Sequence, residues 1–233
     1  MTPGVLWRES LLVAGKDLRI ERRARVTLNQ VLPFGVLVLV LFSFALDPAR
    51  TLDDDRTVLE VAAPGLLWVA VLLALLLAVG RAFGLEAENG ALDGLRLSGI
   101  DPGAVFLGKA IAIATQLLVL EAVLAVGVVV LYDLELSGAP MLLLAALAAT
   151  VGLAAAGTVY GSLAAGLRVR ETLLPLLIVP MVAPVMLGAT RTWEAAVERT
   201  PSDGWPWLGL LGVFALVYVA LGMSVSGPLL EES

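Results

Sequence analysis

The chain has 233 residues, of which 59% are hydrophobic and 15% charged, with a formal net charge of −6 and a mean hydropathy of +0.95. A soluble domain carries about 25% charged residues, so this composition is too apolar for one core and implies a bilayer around much of the surface. The chain has no Cys and no His, which excludes disulfides, thiol catalysis, Cys or His metal ligation and a His general base; the acidic balance argues against nucleic-acid binding.

The first 26 residues form an arm. Trp7, Leu11, Ala14 and Leu18 fall at helical spacing on one apolar stripe, with Arg8, Glu9, Lys16, Asp17, Arg19 and Arg23 around it. The pattern predicts an amphipathic helix on the inner membrane face. The alternative is a basic anchor that serves topology alone. The apolar stretch that follows resembles a signal peptide in its basic flank. No small-x-small cleavage site follows it, the chain reading Ala45-Leu46-Asp47-Pro48, so it is expected to be a retained span.

A span needs roughly 20 mostly apolar residues. Six are predicted, at about 27–46, 61–80, 103–131, 141–165, 172–188 and 207–227. All lie in one transmembrane domain over residues 1–233. Arg and Lys placement orients them: eleven cluster on the side of the arm, the 2–3 connection and the 4–5 connection, against four (Arg50, Arg56, Arg191, Arg199) on the other. The richer side is expected to be cytoplasmic, with both termini inside. Trp193, Trp205 and Trp207 would bracket the last outer loop as an interfacial belt.

Between spans two and three the chain reads Glu86-Ala87-Glu88-Asn89-Gly90-Ala91-Leu92-Asp93-Gly94-Leu95-Arg96-Leu97, followed by Ser98-Gly99, Asp101-Pro102 and Gly108-Lys109. Leu92 and Leu95 share a face of a short helix, ended by turn residues. Such a helix suits a groove on a partner protein, or it is a capped loop helix lying against the membrane.

Span three carries Gln116 and Glu121. A carboxylate at mid-bilayer is costly and should face protein or a wet cavity. Its two readings are a proton-relay or substrate site, and a hydrogen bond across helices to Gln116, Tyr160 or Thr158. Span four holds Gly157 and Gly161 in a Gly-x-x-x-Gly face, suited to close helix approach within or between protomers. Span five holds Pro175, Pro180 and Pro184, each of which removes a backbone donor. It should therefore be buried in protein and kinked, as a moving hinge or a static bend.

No P-loop, His-Glu-x-x-His or Ser/His pair is present, so neither nucleotide hydrolysis nor metalloprotease chemistry is expected of this chain.

The run from Glu86 to Lys109 resembles the second cytoplasmic region of ABC-2-type exporter permeases, in which a short coupling helix meets the ATPase subunit. The basic arm entering span one through Asn29-Gln30-Val31-Leu32-Pro33-Phe34, the sequence Gln116-Leu117-Leu118-Val119-Leu120-Glu121 and the proline-punctuated stretch from Leu173 to Gly188 resemble the CcmB family of cytochrome c maturation. That resemblance implies a non-catalytic permease subunit of an ABC exporter in the inner membrane, acting in haem delivery, with Glu86, Glu88, Gly90, Leu92, Leu95 and Arg96 as the ATPase-coupling segment. It implies a CcmA-type ATPase, a CcmC-type haem-handling membrane subunit and a CcmE-type haem chaperone as partners, two copies of the chain in the complex, and no cofactor held by this chain, haem being cargo or partner-bound. The alternatives are a different ABC-2 exporter permease, a proton-coupled secondary transporter using Glu121, and a non-transporting assembly factor.

Overall fold

The computed structural model describes residues 3–25, 27–46, 57–88, 99–132, 138–165, 170–197 and 200–232. Among these the chain is helical, with no strands: α1 (Pro3–Ala24), a π-helical turn (Thr27–Val31), α2 (Leu32–Ala45), α3 (Val58–Glu88), α4 (Pro102–Tyr132), α5 (Ala139–Ala165), α6 (Arg170–Val197) and α7 (Pro201–Glu232).

Local chemistry sets the helix starts. Thr57 and Glu60 form a reciprocal capping box before α3: the Glu60 N–H donates to Thr57 Oγ1 at 3.1 Å and the Thr57 N–H to Glu60 Oε2 at 3.0 Å. The Asp101 carboxylate accepts from the backbone N–H groups of Gly103 (2.8 Å) and Ala104 (3.3 Å). Pro102 follows at the first helical position, where its missing donor costs nothing. Asp101-Pro102 is thus the cap of α4 as well as the stop of the segment before it.

Helices α3 to α7 are each long and apolar enough to cross a membrane; a sixth crossing is counted if α1 and the π–α2 stretch, bent by 52° against each other, are taken as one broken span. The apolar part of α3, Val58–Gly84, has 27 residues. At 1.5 Å per residue it is about 40 Å long, more than the roughly 30 Å hydrocarbon core, so it tilts or protrudes.

Helix α5 is the axis of the bundle and touches α3, α4, α6 and α7. Its small residues allow this. A Cβ on Gly152 would stand 3.1 Å from the Phe214 ring of α7, and one on Gly157 2.8 Å from Val79 of α3. The surrounding helices each bury a stripe in the core, Leu67, Val71 and Leu75 on α3, Ile113, Leu117, Leu120 and Leu124 on α4, and Ile178, Val182, Val185 and Ala189 on α6; Leu124 meets Gly35 of α2. In a bilayer the rest of each helix stays apolar and faces outward, as Val213, Leu216 and Val217 do on α7.

Several expectations are revised. Helix α3 runs on to Glu88, so Glu86 and Glu88 belong to its last turn and not to a separate short helix. Helix α6 runs nine residues past Gly188 and α7 begins at Pro201, so most of the expected last outer loop is helix. Within it Arg191 pairs with Glu194 at 2.8 Å one turn on. Trp193 is buried and meets Trp68 edge-on with ring centroids 6.0 Å apart, whereas Trp205 is exposed; only the latter is placed as a belt residue would be. Helix α6 is unbroken through Pro175, Pro180 and Pro184, all of which lie on its exposed side. The expectation of a span buried in protein holds for one face only.

Candidate functional site: the arm, α3 and α4

The apolar stripe of the arm divides: Trp7 and Leu11 face outward, as on a helix lying against a membrane, while Ala14 is buried against α4. Trp7 and Leu11 are 55% and 59% exposed, while Ser10, Val13 and Ala14 are buried. Residues 10, 13, 14, 17 and 21 recur at helical spacing, and this small and acidic face lies on α4. The reason is the solvent: with lipid available, an apolar stripe gains little by burial in protein, whereas carboxylates gain from cations.

The seam is close. A Cβ on Gly108 would stand 2.5 Å from Val13 Cβ and 2.7 Å from the Ser10 carbonyl oxygen. Ser10 fits there because its hydroxyl donates to the Leu6 carbonyl of its own helix at 2.8 Å. Next to it Lys109, 3% exposed, pairs with Asp17 Oδ2 at 3.5 Å, and its ammonium lies 4.8 Å from the centre of the Phe83 ring of α3. A turn further, Glu21 pairs with Arg81 Nε of α3 at 3.3 Å. At the other end Glu9 accepts the backbone N–H of Asp101 at 3.1 Å. These contacts join α1 to both helices that flank the 89–98 connection.

Of the predicted coupling residues, Glu86 and Glu88 end α3, and Gly90, Leu92, Leu95 and Arg96 lie outside the described residues. Gln116 and Glu121 share α4 but point to different neighbours. Gln116 lines a cleft between α3, α4 and the end of α1. Glu121 is buried and accepts a 2.6 Å hydrogen bond from the Thr150 hydroxyl of α5. Of the partners expected for it, Gln116 lines the cleft instead, Thr158 donates to the Ala154 carbonyl, and the Tyr160 hydroxyl lies 3.2 Å from that of Tyr218. Gly157 and Gly161 face Val79 and Phe83 of the same chain, so the Gly-x-x-x-Gly surface serves contact within the protomer. The three prolines lie on α6, which contacts α3, α5 and α7 and stands apart from the arm.

Sequence reasoning missed Ser10, Asp17, Glu21, Arg81 and Thr150. A signal for the two ion pairs existed: Lys109 and Arg81 are each the sole cation about two turns inside an apolar helix, and Asp17 and Glu21 are acids four residues apart on one arm. Among the described residues no group of His, Cys, Asp and Glu could hold a metal ion.

A bundle of apolar spans around a small-residue helix, with a charged arm fastened to two of them, defines a polytopic α-helical membrane protein. The chain belongs to the CcmB family: a match to the family described as CcmB protein covers residues 8–230. It is similar to heme exporter protein B of Pseudomonas aeruginosa, 32% identical over 225 residues that cover 93% of this chain and 96% of that one. It is also similar to the proteins of the same name from Haemophilus influenzae, 31% identical with 91% and 92% covered, and Rhodobacter capsulatus, 35% identical with 78% and 81% covered.

Proposed function

We propose that the chain is the permease subunit of an ATP-driven exporter acting in haem delivery for cytochrome c maturation. It turns ATP hydrolysis by a separate subunit into export, or into release of a haem-loaded chaperone. The names of its relatives support the haem assignment. The observation that carries the coupling reading is the fastening of α1 to both α3 and α4 by Asp17–Lys109, Glu21–Arg81 and Glu9–Asp101. A force applied to the 89–98 connection enters the bundle through α3 and α4, and α1 makes those two helices move as one lever.

In this reading the chain is not itself catalytic and holds no cofactor of its own. Its partners are a CcmA-type ATPase, a CcmC-type membrane subunit and a CcmE-type chaperone, with two copies of the chain in the complex. It lies in the inner membrane with both termini in the cytoplasm, the side favoured by its arginines and lysines. The seating of Glu121 on Thr150 suits helix contact and gives no support to a proton relay.

The test is affinity purification of the tagged chain from its native membrane in mild detergent, with mass spectrometry of the copurifying proteins. Recovery of an ABC-type ATPase together with a haem-handling membrane protein is the expected result. Recovery of the chain alone would overturn the reading.

A further inference from the structure

Every acid of α1 is engaged on the side of the bundle. Glu9 accepts the Asp101 N–H, Asp17 pairs with Lys109 and Glu21 with Arg81. The opposite side of the helix therefore carries cations without counter-charges. Arg19, Arg22 and Arg23 lie there, exposed, and Arg25 follows just past the end of α1, exposed as well. None of the four makes an ion pair or a side-chain hydrogen bond with another described residue. Like charges this close repel one another, so the cluster gains from anions outside the chain.

The backbone at Arg25 is a second, independent sign. Its φ is 53°, and it is the one non-glycine residue with positive φ among those described. Its N–H donates to the Glu21 carbonyl at 2.7 Å, which closes α1, and its own carbonyl accepts from the Asn29 N–H at 2.9 Å as the π-helical turn begins. Glycine is the usual occupant of such a left-handed position, because a Cβ is crowded there. Arg25 bears that strain while its guanidinium has no polar partner among the described residues. The contact that offsets the strain therefore lies outside the chain.

What lies outside at this point is the membrane surface. Two residues after Arg25 the π-helical turn starts and leads into α2, an apolar helix without a charged side chain. The cluster thus stands where the chain enters the hydrocarbon, at the depth of phospholipid phosphates, and long arginine side chains reach toward that depth. A guanidinium takes a phosphate through paired N–H donors, and an anionic headgroup keeps the net negative charge that a zwitterionic one lacks. We propose that Arg19, Arg22, Arg23 and Arg25 bind the headgroups of anionic phospholipids in the leaflet on the α1 side.

The test uses the full chain with its copurifying partners, delipidated in mild detergent. Native mass spectrometry reads the retention of added dioleoylphosphatidylglycerol against dioleoylphosphatidylcholine, and size-exclusion fluorescence reads the melting midpoint. Wild type should retain the anionic lipid more than about tenfold better. Arg25→Gly should move the two readouts in opposite directions. Its midpoint without lipid should rise, because glycine relieves the backbone, while its retention of the anionic lipid should fall about fivefold, the weight of one arginine near an anionic surface. Arg19→Gln, Arg22→Gln, Arg23→Gln and Arg25→Gln combined should bring the two lipids to parity. If that quadruple variant does not fold, Arg25→Gly decides. Equal retention of both lipids by wild type overturns the anionic assignment. Displacement of the lipid by inorganic phosphate at equal concentration overturns the lipid as the source. Undiminished retention of the anionic lipid in either folded variant overturns the site.

Discussion

Thr150 of α5 donates a 2.6 Å hydrogen bond to Glu121 of α4, and both residues are buried. The pair ties the central helix to the helix that carries the arm, and it fixes the register between them. Thr150→Val should lower stability by about 1 kcal/mol, within the range of interhelical hydrogen bonds in membranes, because the carboxyl keeps its burial and loses its donor. Thr150→Ser should restore wild-type behaviour. Thermal unfolding of the detergent-solubilised chain, followed by size-exclusion fluorescence, measures both; an unchanged midpoint in Thr150→Val would mean that the bond is not formed.

A second prediction concerns the α3–α5 seam. A Cβ on Gly161 would overlap the Phe83 ring and stand 2.8 Å from Val79. Gly161→Ala should therefore cost about 1–3 kcal/mol as an overpacking change. Combining it with Phe83→Leu should recover part of that loss by making room, a coupling expected of residues in contact. Additive losses in the double variant would place Gly161 against some other surface, such as a second protomer. The same melting assay reads the result.

A third prediction follows from Trp68 and Trp193, which meet edge-on near the non-arm end of the bundle. Trp193→Leu should lose about 0.5–1.5 kcal/mol beyond its change in buried area. It should also move the remaining tryptophan emission to longer wavelength, because a buried ring is removed. Trp205→Leu should move it the other way, since Trp205 is 58% exposed. Emission spectra of the two variants in the same detergent give the comparison; shifts of the same sign would mean that the two rings share one environment.

What could be read from the sequence divides along a physical line. The apolar runs showed the spans, because a membrane helix must satisfy its backbone internally and be apolar for its whole length. They did not show helix faces, because lipid and protein interior reward the same side chains. So of the stripe Trp7, Leu11, Ala14 and Leu18 the first two stay outward, while Ala14 joins Ser10, Asp17 and Glu21 in the contact with the bundle. Small residues carried more information: Gly157 and Gly161 marked a true seam. The partner of Glu121 depends on the stagger of α4 against α5, which no periodicity within one helix encodes. The proline run gave a helix that is continuous, with Pro175, Pro180 and Pro184 outward.

The last prediction separates docking from transmission. Leu92→Asp or Leu95→Asp places a charge on the apolar face proposed to enter the ATPase and should abolish copurification of that subunit, with membrane insertion unchanged. Gly108→Ala acts elsewhere. Its Cβ would press on Val13 and on the Ser10 carbonyl, and backbone cannot swing aside as a side-chain end can, so α1 should lift from α4. Limited trypsin digestion should then cut the arm at Arg22 or Arg23 about ten times faster, the factor that corresponds to about 1.4 kcal/mol of easier local opening. ATPase association should persist in Gly108→Ala while the proposed ATP-driven haem delivery is lost. If association and haem delivery both survive in Gly108→Ala despite a loosened arm, α1 is an anchor and not part of the lever. If Leu92→Asp and Leu95→Asp leave association intact, the force enters the membrane by a route other than the 89–98 connection.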